Sequence, residues 1–216
     1  MNICVRCHQR KGKRRCPLYQ GWLCSLCCGQ IREKENRCPT TCSFFQKHHL
    51  YQEKRFLEKH ADQLNRLQLV EEQLAQNDKL TWLAYSIEKE IAQEAQKNPH
   101  LRDQDIIEAL SRVQETLRKG GRQIILPGES LSPLDSLTDK INHILNTCRH
   151  QRDIVVPESY EHYSLEEKNQ VIDTLLTRAK FLSLRTNLSG KEYLNNLLQR
   201  LAAIDKKLSS GVLLHK

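Results

Sequence analysis

From residue 47 onward, apolar side chains recur every three or four positions without strand-like alternation, and this pattern predicts helices. Leu50, Leu57, Ala61, Leu64, Leu67 and Leu74 form one stripe, and Leu80, Leu83, Ile87, Ile91 and Ala95 a second. Together they predict a long helix over residues 47–97, with Asp78 placed to cap its second stretch and Asn98-Pro99 closing it. Trp82 and Tyr85 lie off the stripe, facing another helix or a partner. Asp103 or Asp105 starts the next helix, with Ile106, Ile107, Leu110, Val113 and Leu117 inward and Gly120-Gly121 as its stop.

Ser132-Pro133 supplies a cap and a first-turn proline for a helix bearing Leu134, Leu137, Ile141, Ile144, Leu145 and Cys148. Ser164-Leu165-Glu166-Glu167 is a capping box opening a helix with Val171, Leu175, Ala179 and Leu182 inward. Ser189 begins the last, carrying Leu194, Leu197, Leu198, Leu201, Ile204 and Leu208. With linkers near 121–132 and 153–163, the reading is an all-α helical domain over residues 47–216, a long helix followed by a helical bundle. This part carries no glycine-rich phosphate loop, HExxH or GxSxG, and His143, His150 and His162 stand isolated, so a non-enzymatic protein is expected. Arg149, Arg152, Arg178, Lys180 and Arg185 are placed to extend a basic face, balanced by acidic neighbours. A residual stripe over 47–95 offers a surface for a dimer or partner helix.

Residues 1–46 read differently. Val5, Leu18, Tyr19, Trp22, Leu23, Leu26, Ile31 and Phe44 are too few to build a self-sufficient core. Eight of the nine cysteines fall there instead: Cys4, Cys7, Cys16, Cys24, Cys27, Cys28, Cys38 and Cys42. The opening MNICVRCHQR has charges where a secretory signal needs an apolar stretch, so a cytoplasmic, reducing compartment is expected and metal ligation is preferred over disulfides. The two CxxC pairs Cys4/Cys7 and Cys24/Cys27 are each a knuckle offering two thiolates, and two knuckles complete a tetrahedral zinc site. Cys16, Cys28, Cys38 and Cys42 are then left as a second set of four. Cys27 and Cys28 could exchange between the sets, and His8 or His48 could replace a member of the second. The expectation is two Zn²⁺ per chain, interleaved as in treble-clef or cross-brace modules, with no open coordination position and hence a structural role.

Charge follows the same division. The chain of 216 residues carries a net +8, yet residues 1–55 hold twelve basic and three acidic side chains, a net +9, while the remainder is close to neutral. Two zinc ions on eight thiolates would reduce that excess to about +5. Within it, Arg10, Lys11, Lys13, Arg14 and Arg15 crowd into one loop between Cys7 and Cys16. A scaffolded loop of arginine and lysine suits nucleic-acid phosphates, with Tyr19 and Trp22 near enough to stack on unpaired bases. The alternative is a protein-protein interaction adaptor in which zinc is a staple and the helical stripes or Trp82 meet the partner. No apolar run reaches the roughly eighteen residues of a membrane span, and no small-molecule substrate is indicated.

Cys4-x2-Cys7, Arg15-Cys16-Pro17, Cys24-Ser25-Leu26-Cys27-Cys28-Gly29 with Arg32, and Cys38-Pro39-Thr40-Thr41-Cys42 resemble, in their order, a family of uncharacterised bacterial proteins with a cysteine-rich start. The similarity continues in Asp105-Ile106-Ile107-Glu108-Ala109-Leu110 and Ser189-Gly190-Lys191-Glu192-Tyr193-Leu194. It implies a bacterial zinc-binding protein and brings no activity with it. More distantly, the cysteine layout looks like treble-clef and cross-brace modules of the MYND or B-box kind, which mostly bind proteins, although their terminal His/Cys pattern is absent here.

Overall fold

A computed structural model describes residues 2–33, 38–120, 133–151, 160–185 and 190–209. The chain divides into two compact units, Met1–Ala61 and Asp62–Lys216, and helix predominates among the described residues.

In the first unit, strands β1 (Arg14–Cys16) and β2 (Gly21–Leu23) pair antiparallel, with Arg15 opposite Trp22. Helix α1 (Ser25–Glu33) follows directly, then α2 (Ser43–Lys59). The core is small. Leu23 and Ile31 are buried among Cys4, Cys16, Cys24, Cys27 and Cys28, so sulfur supplies much of what a larger apolar core would. No residue of α2 is buried; its stripe residue Leu50 is 68% exposed.

The second unit comprises α3 (Ala61–Ala75), α4 (Asp78–Lys97), α5 (Asp103–Arg118), α6 (Pro133–Thr147), α7 (Leu165–Ser183) and α8 (Glu192–Ser209). One apolar core runs through it, built from the stripes the sequence shows: Leu83, Ile87 and Ile91 of α4, Ile106, Leu110 and Val113 of α5, Leu137 and Ile141 of α6, Val171 and Leu175 of α7, Leu197 of α8. Helix α5 packs chiefly on α7 and α6, and α4 meets α6, α7 and α8. Among the described residues, no helix is long and apolar enough to cross a membrane.

Several boundaries differ from those the pattern predicts. The helix expected over 47–97 is three helices, broken at His60 and again at 76–77. At the second break Asn77, not Asp78, is the cap, its side-chain oxygen accepting from Leu80 N at 3.2 Å; a residue in extended conformation turns the chain and satisfies an orphan N–H. Gly120, at φ 76°, stops α5 as expected. Ser164 and Glu167 form the expected capping box, each side chain accepting from the other's backbone N–H. Beside the linker expected near 153–163, β3 (His150–Gln151) and β4 (Tyr160–Glu161) make a two-residue ladder in a domain read as purely helical. The linker residues 121–132 and 152–159, with Ser132, Ser189 and Gly121, lie outside the described residues.

Arg178 also departs from its expected place on a basic face. It is buried, with a bidentate bond to Glu71 and a further bond to Glu88, and Arg200 bonds Glu88 as well. Burial opposes its charge, but the two carboxylates outweigh this and hold the guanidinium more firmly protonated than usual.

Candidate metal centre and basic loop

The first CxxC pair sits in a tight turn. His8 N donates to Cys4 O at 2.9 Å, with His8 itself at φ 52°, and Cys4 N donates to Arg10 O at 2.8 Å. The second pair flanks the start of α1, where Cys27 N donates to Cys24 Sγ at 3.4 Å. Two glycines let the pieces close on each other. A Cβ on Gly12 would lie 2.5 Å from Trp22 Cβ, and one on Gly21 would lie 2.7 Å from a methyl of Val5. Hydrogen bonds from Val5 N to Trp22 O and from Lys13 N to Leu23 O fix the same approach.

As a result the sulfurs of Cys4, Cys7, Cys24 and Cys27 all lie within 4.8 Å of one another. Cys4, Cys24 and Cys27 are buried and Cys7 is half-buried. Burial works to raise the Cys4 thiol, but backbone N–H groups of Cys24, Cys7 and Arg6 outweigh it and bring it down to about 6. Cys24 is lowered too, first by the Cys27 N–H. Cys27 moves the other way, pushed up to about 12 by burial and then by the sulfurs of Cys24, Cys7 and Cys4. Four converging sulfurs of this kind fit a soft, tetrahedral metal ion, with all four cysteines as ligands. Arg6 supports the far side, donating to Cys27 O at 3.3 Å.

Cys16, Cys28, Cys38 and Cys42 line a hollow of about 10 Å³ with Leu23, Ile31, Pro39 and Phe44. They do not meet the mutual closeness of the first four; among the described residues, Cys4, Cys7, Cys24 and Cys27 are the group that does, and neither His8 nor His48 belongs to it. The four nevertheless sense one another: burial, then Cys42, Cys28 and Cys16, push the Cys38 thiol up. Residues 34–37, in the approach to Cys38, are outside the described residues. Cys148, the ninth cysteine, packs against the helical core with Ser86 Oγ 3.9 Å away.

The basic loop separates into two roles. Arg10, Lys11, Lys13 and Arg15 are exposed, and among the described residues none has an acidic partner. Arg14 turns inward, where its guanidinium lies 5.1 Å from the Phe44 ring centroid and Nη1 donates to Cys28 Sγ at 3.5 Å. Arg14 therefore serves the second cysteine set. Trp22 and Tyr19 are each 39% exposed, and Trp22 shares the outer face of the hairpin with Arg15. The supporting contacts of Arg6, Arg14 and Phe44 escaped the sequence reading, in which the nearest signal was the place of Arg14 two positions before Cys16.

No protein-family model matches the chain, and no curated protein or solved structure matches it either.

Proposed function

We propose that the chain is a non-enzymatic, zinc-binding recognition protein of the cytoplasm that contacts nucleic-acid phosphates through Arg10, Lys11, Lys13 and Arg15. The observation carrying this reading is a set of four exposed cations, without acidic partners among the described residues, held on a loop and on β1 beyond it, the loop's backbone hydrogen-bonded on both sides and packed on Trp22. A loop so held loses little conformational freedom when phosphates bind, and Trp22 and Tyr19 offer faces for unpaired bases. Knuckle, hairpin and a helix carrying the last two ligands make a treble-clef arrangement, with zinc on Cys4, Cys7, Cys24 and Cys27. A second zinc on Cys16, Cys28, Cys38 and Cys42 belongs to the same proposal, supported by their shared hollow and by Arg14 donating to Cys28. The bacterial family resemblance of the cysteine motifs belongs to this proposal as well.

Two measurements on the full chain test this. Metal analysis of the purified protein is expected to give close to two zinc; a value near one removes the second site, and a value near zero removes both. Binding to labelled single-stranded RNA and DNA is expected to weaken with salt, at about 0.7 logarithmic units per decade of salt for each phosphate engaged. Replacing Arg10, Lys11, Lys13 and Arg15 together by Gln should flatten that dependence while metal content is unchanged. Affinity indifferent to salt and to this variant overturns the nucleic-acid reading.

One observation favours the adaptor reading instead: Ile3, Val5, Leu18, Tyr19, Trp22 and Leu26 are all exposed apolar side chains of the small first unit. Stoichiometric co-purification of one protein, with no nucleic acid, would select it.

A further inference from the structure

The helical unit contains an open cavity of about 590 Å³ where α3, α4, α7 and α8 converge, a volume within the range that holds a small organic ligand. Its walls are apolar and aromatic. Leu74 and Ala75 come from α3, Trp82, Ala84 and Tyr85 from α4, and Ile204 from α8. Trp82 is 50% exposed although its ring lies 5.8 Å from that of Tyr85, so a large aromatic surface stands open at the cavity.

The charged end is unequal. Arg178 bonds both Glu71 and Glu88, and only together with Arg200 does it offset the charge of those two carboxylates. Arg200 also bonds Glu88, yet its Nε is buried with no hydrogen-bond partner, as is Tyr193 Oη beneath the same ion network. Lys89 lines the same end, exposed and without an ion pair among the described residues. Glu71 and Glu88 are thus paired with Arg178 and Arg200, and the remaining charged residues of the lining are Asp78 and Lys89, eleven positions apart along α4. A part-exposed guanidinium, and an ammonium without an ion pair among the described residues, beside an aromatic wall recognise one kind of molecule.

We infer that this cavity binds a small anion with a planar aromatic body, its ring against Trp82, Tyr85 and Ile204 and its carboxylate, sulfonate or phosphate on Arg200 and Lys89. Arg178 positions Glu71 and Glu88 so that neither repels the anion. The site lies wholly within the second unit and is independent of the metal-held module.

The probes are naphthalene-2-carboxylate and 1-anilinonaphthalene-8-sulfonate, with naphthalene-2-methanol as a neutral control. They are titrated into the full chain carrying Trp22→Phe, so that Trp82 is the sole tryptophan reporter. One saturable site is expected for each anion, with the neutral control at least tenfold weaker. Ala75→Phe, at an exposed position on the wall, is expected to block the anions, and Lys89→Gln to weaken them severalfold. Arg200→Gln should weaken them tenfold or more. Because Arg200→Gln also disturbs the ion network, Lys89→Gln, at an exposed side chain, provides the independent check on charge, with circular dichroism confirming an unchanged fold. Absence of saturable binding overturns the inference. So does equal affinity for the neutral control, or anion binding indifferent to both Ala75→Phe and Lys89→Gln.

Discussion

Gly12 illustrates how much a single position constrains the first unit. Its missing side chain is where Trp22 Cβ sits, so any larger residue must push β2 away from the loop that carries the cations. Gly12→Ala is expected to destabilise the first unit by about 1–3 kcal/mol, the usual range for overpacking, and to lower zinc affinity measured by competition with a chromogenic chelator. An unchanged affinity would mean that the loop and hairpin are not held by this contact. The position looks unremarkable in sequence, a glycine among basic residues, because the clash involves a residue ten positions away in a strand of only three residues. The grouping of Cys4, Cys7, Cys24 and Cys27 was legible for the opposite reason, because CxxC spacing is a local signal.

At the scale of elements, helix starts show where local pattern suffices. Ser164 and Glu167 sit three residues apart, so their reciprocal bonds can be read directly from the chain. The start of α8 cannot. Tyr193 N and Leu194 N donate to Asp103, at 2.9 and 3.1 Å, across some ninety residues. Asp103 was visible only as a starter of its own helix, and burial, more than its N–H donors can offset, raises its carboxyl.

Glu167 does a second job that sequence does not show, accepting from Lys79 Nζ at 2.8 Å and so tying α7 to α4. Burial works to raise its carboxyl, but Lys79 and the Ser164 N–H hold it below its ordinary value of 4.5. The sign follows from that direction. The folded state binds this proton less readily than the unfolded chain, so the contribution is complete above pH 4.5 and is lost as pH falls through the lower folded value. Glu167→Gln, whose amide oxygen can still accept from Ser164 N, is expected to cost about 1 kcal/mol at neutral pH through the lost charge opposite Lys79, and to flatten the decline in melting temperature below pH 4.5. A variant whose melting temperature falls with acid as steeply as the parent's would exclude this role for Glu167.

For the whole molecule, two cores of different kinds imply two stabilities. The unit Met1–Ala61 has Leu23 and Ile31 surrounded by thiols, whereas Asp62–Lys216 has a continuous apolar core that contains no metal-ligand cluster among the described residues. Chelation by EDTA is expected to abolish the dispersed amide resonances of the first unit and leave those of the helical core in place. Loss of both sets together would show a single cooperative unit. The asymmetry of cysteine and charge made this duality legible from composition. Where the units meet in sequence was less so, because α2 runs on from Cys42 with an amphipathic texture like that of the helices beyond, yet buries none of its residues. The ion network beneath the cavity was hidden for a related reason: Arg178 on α7 has its counter-charges on α3 and α4, and no spacing along one helix reveals a partner on another.

The hydrogen-bonded backbone of the basic loop also governs how the chain meets proteases. Trypsin-like enzymes cut after lysine and arginine and require an extended, unpaired strand, but Arg10 O, Gly12 N and Lys13 N are all engaged within the fold. With metal bound, five adjacent cleavage sites are therefore masked by main-chain pairing. If an ion on the cysteines holds this pairing, its removal frees the same stretch, and proteolytic lifetime is then expected to report metal occupancy.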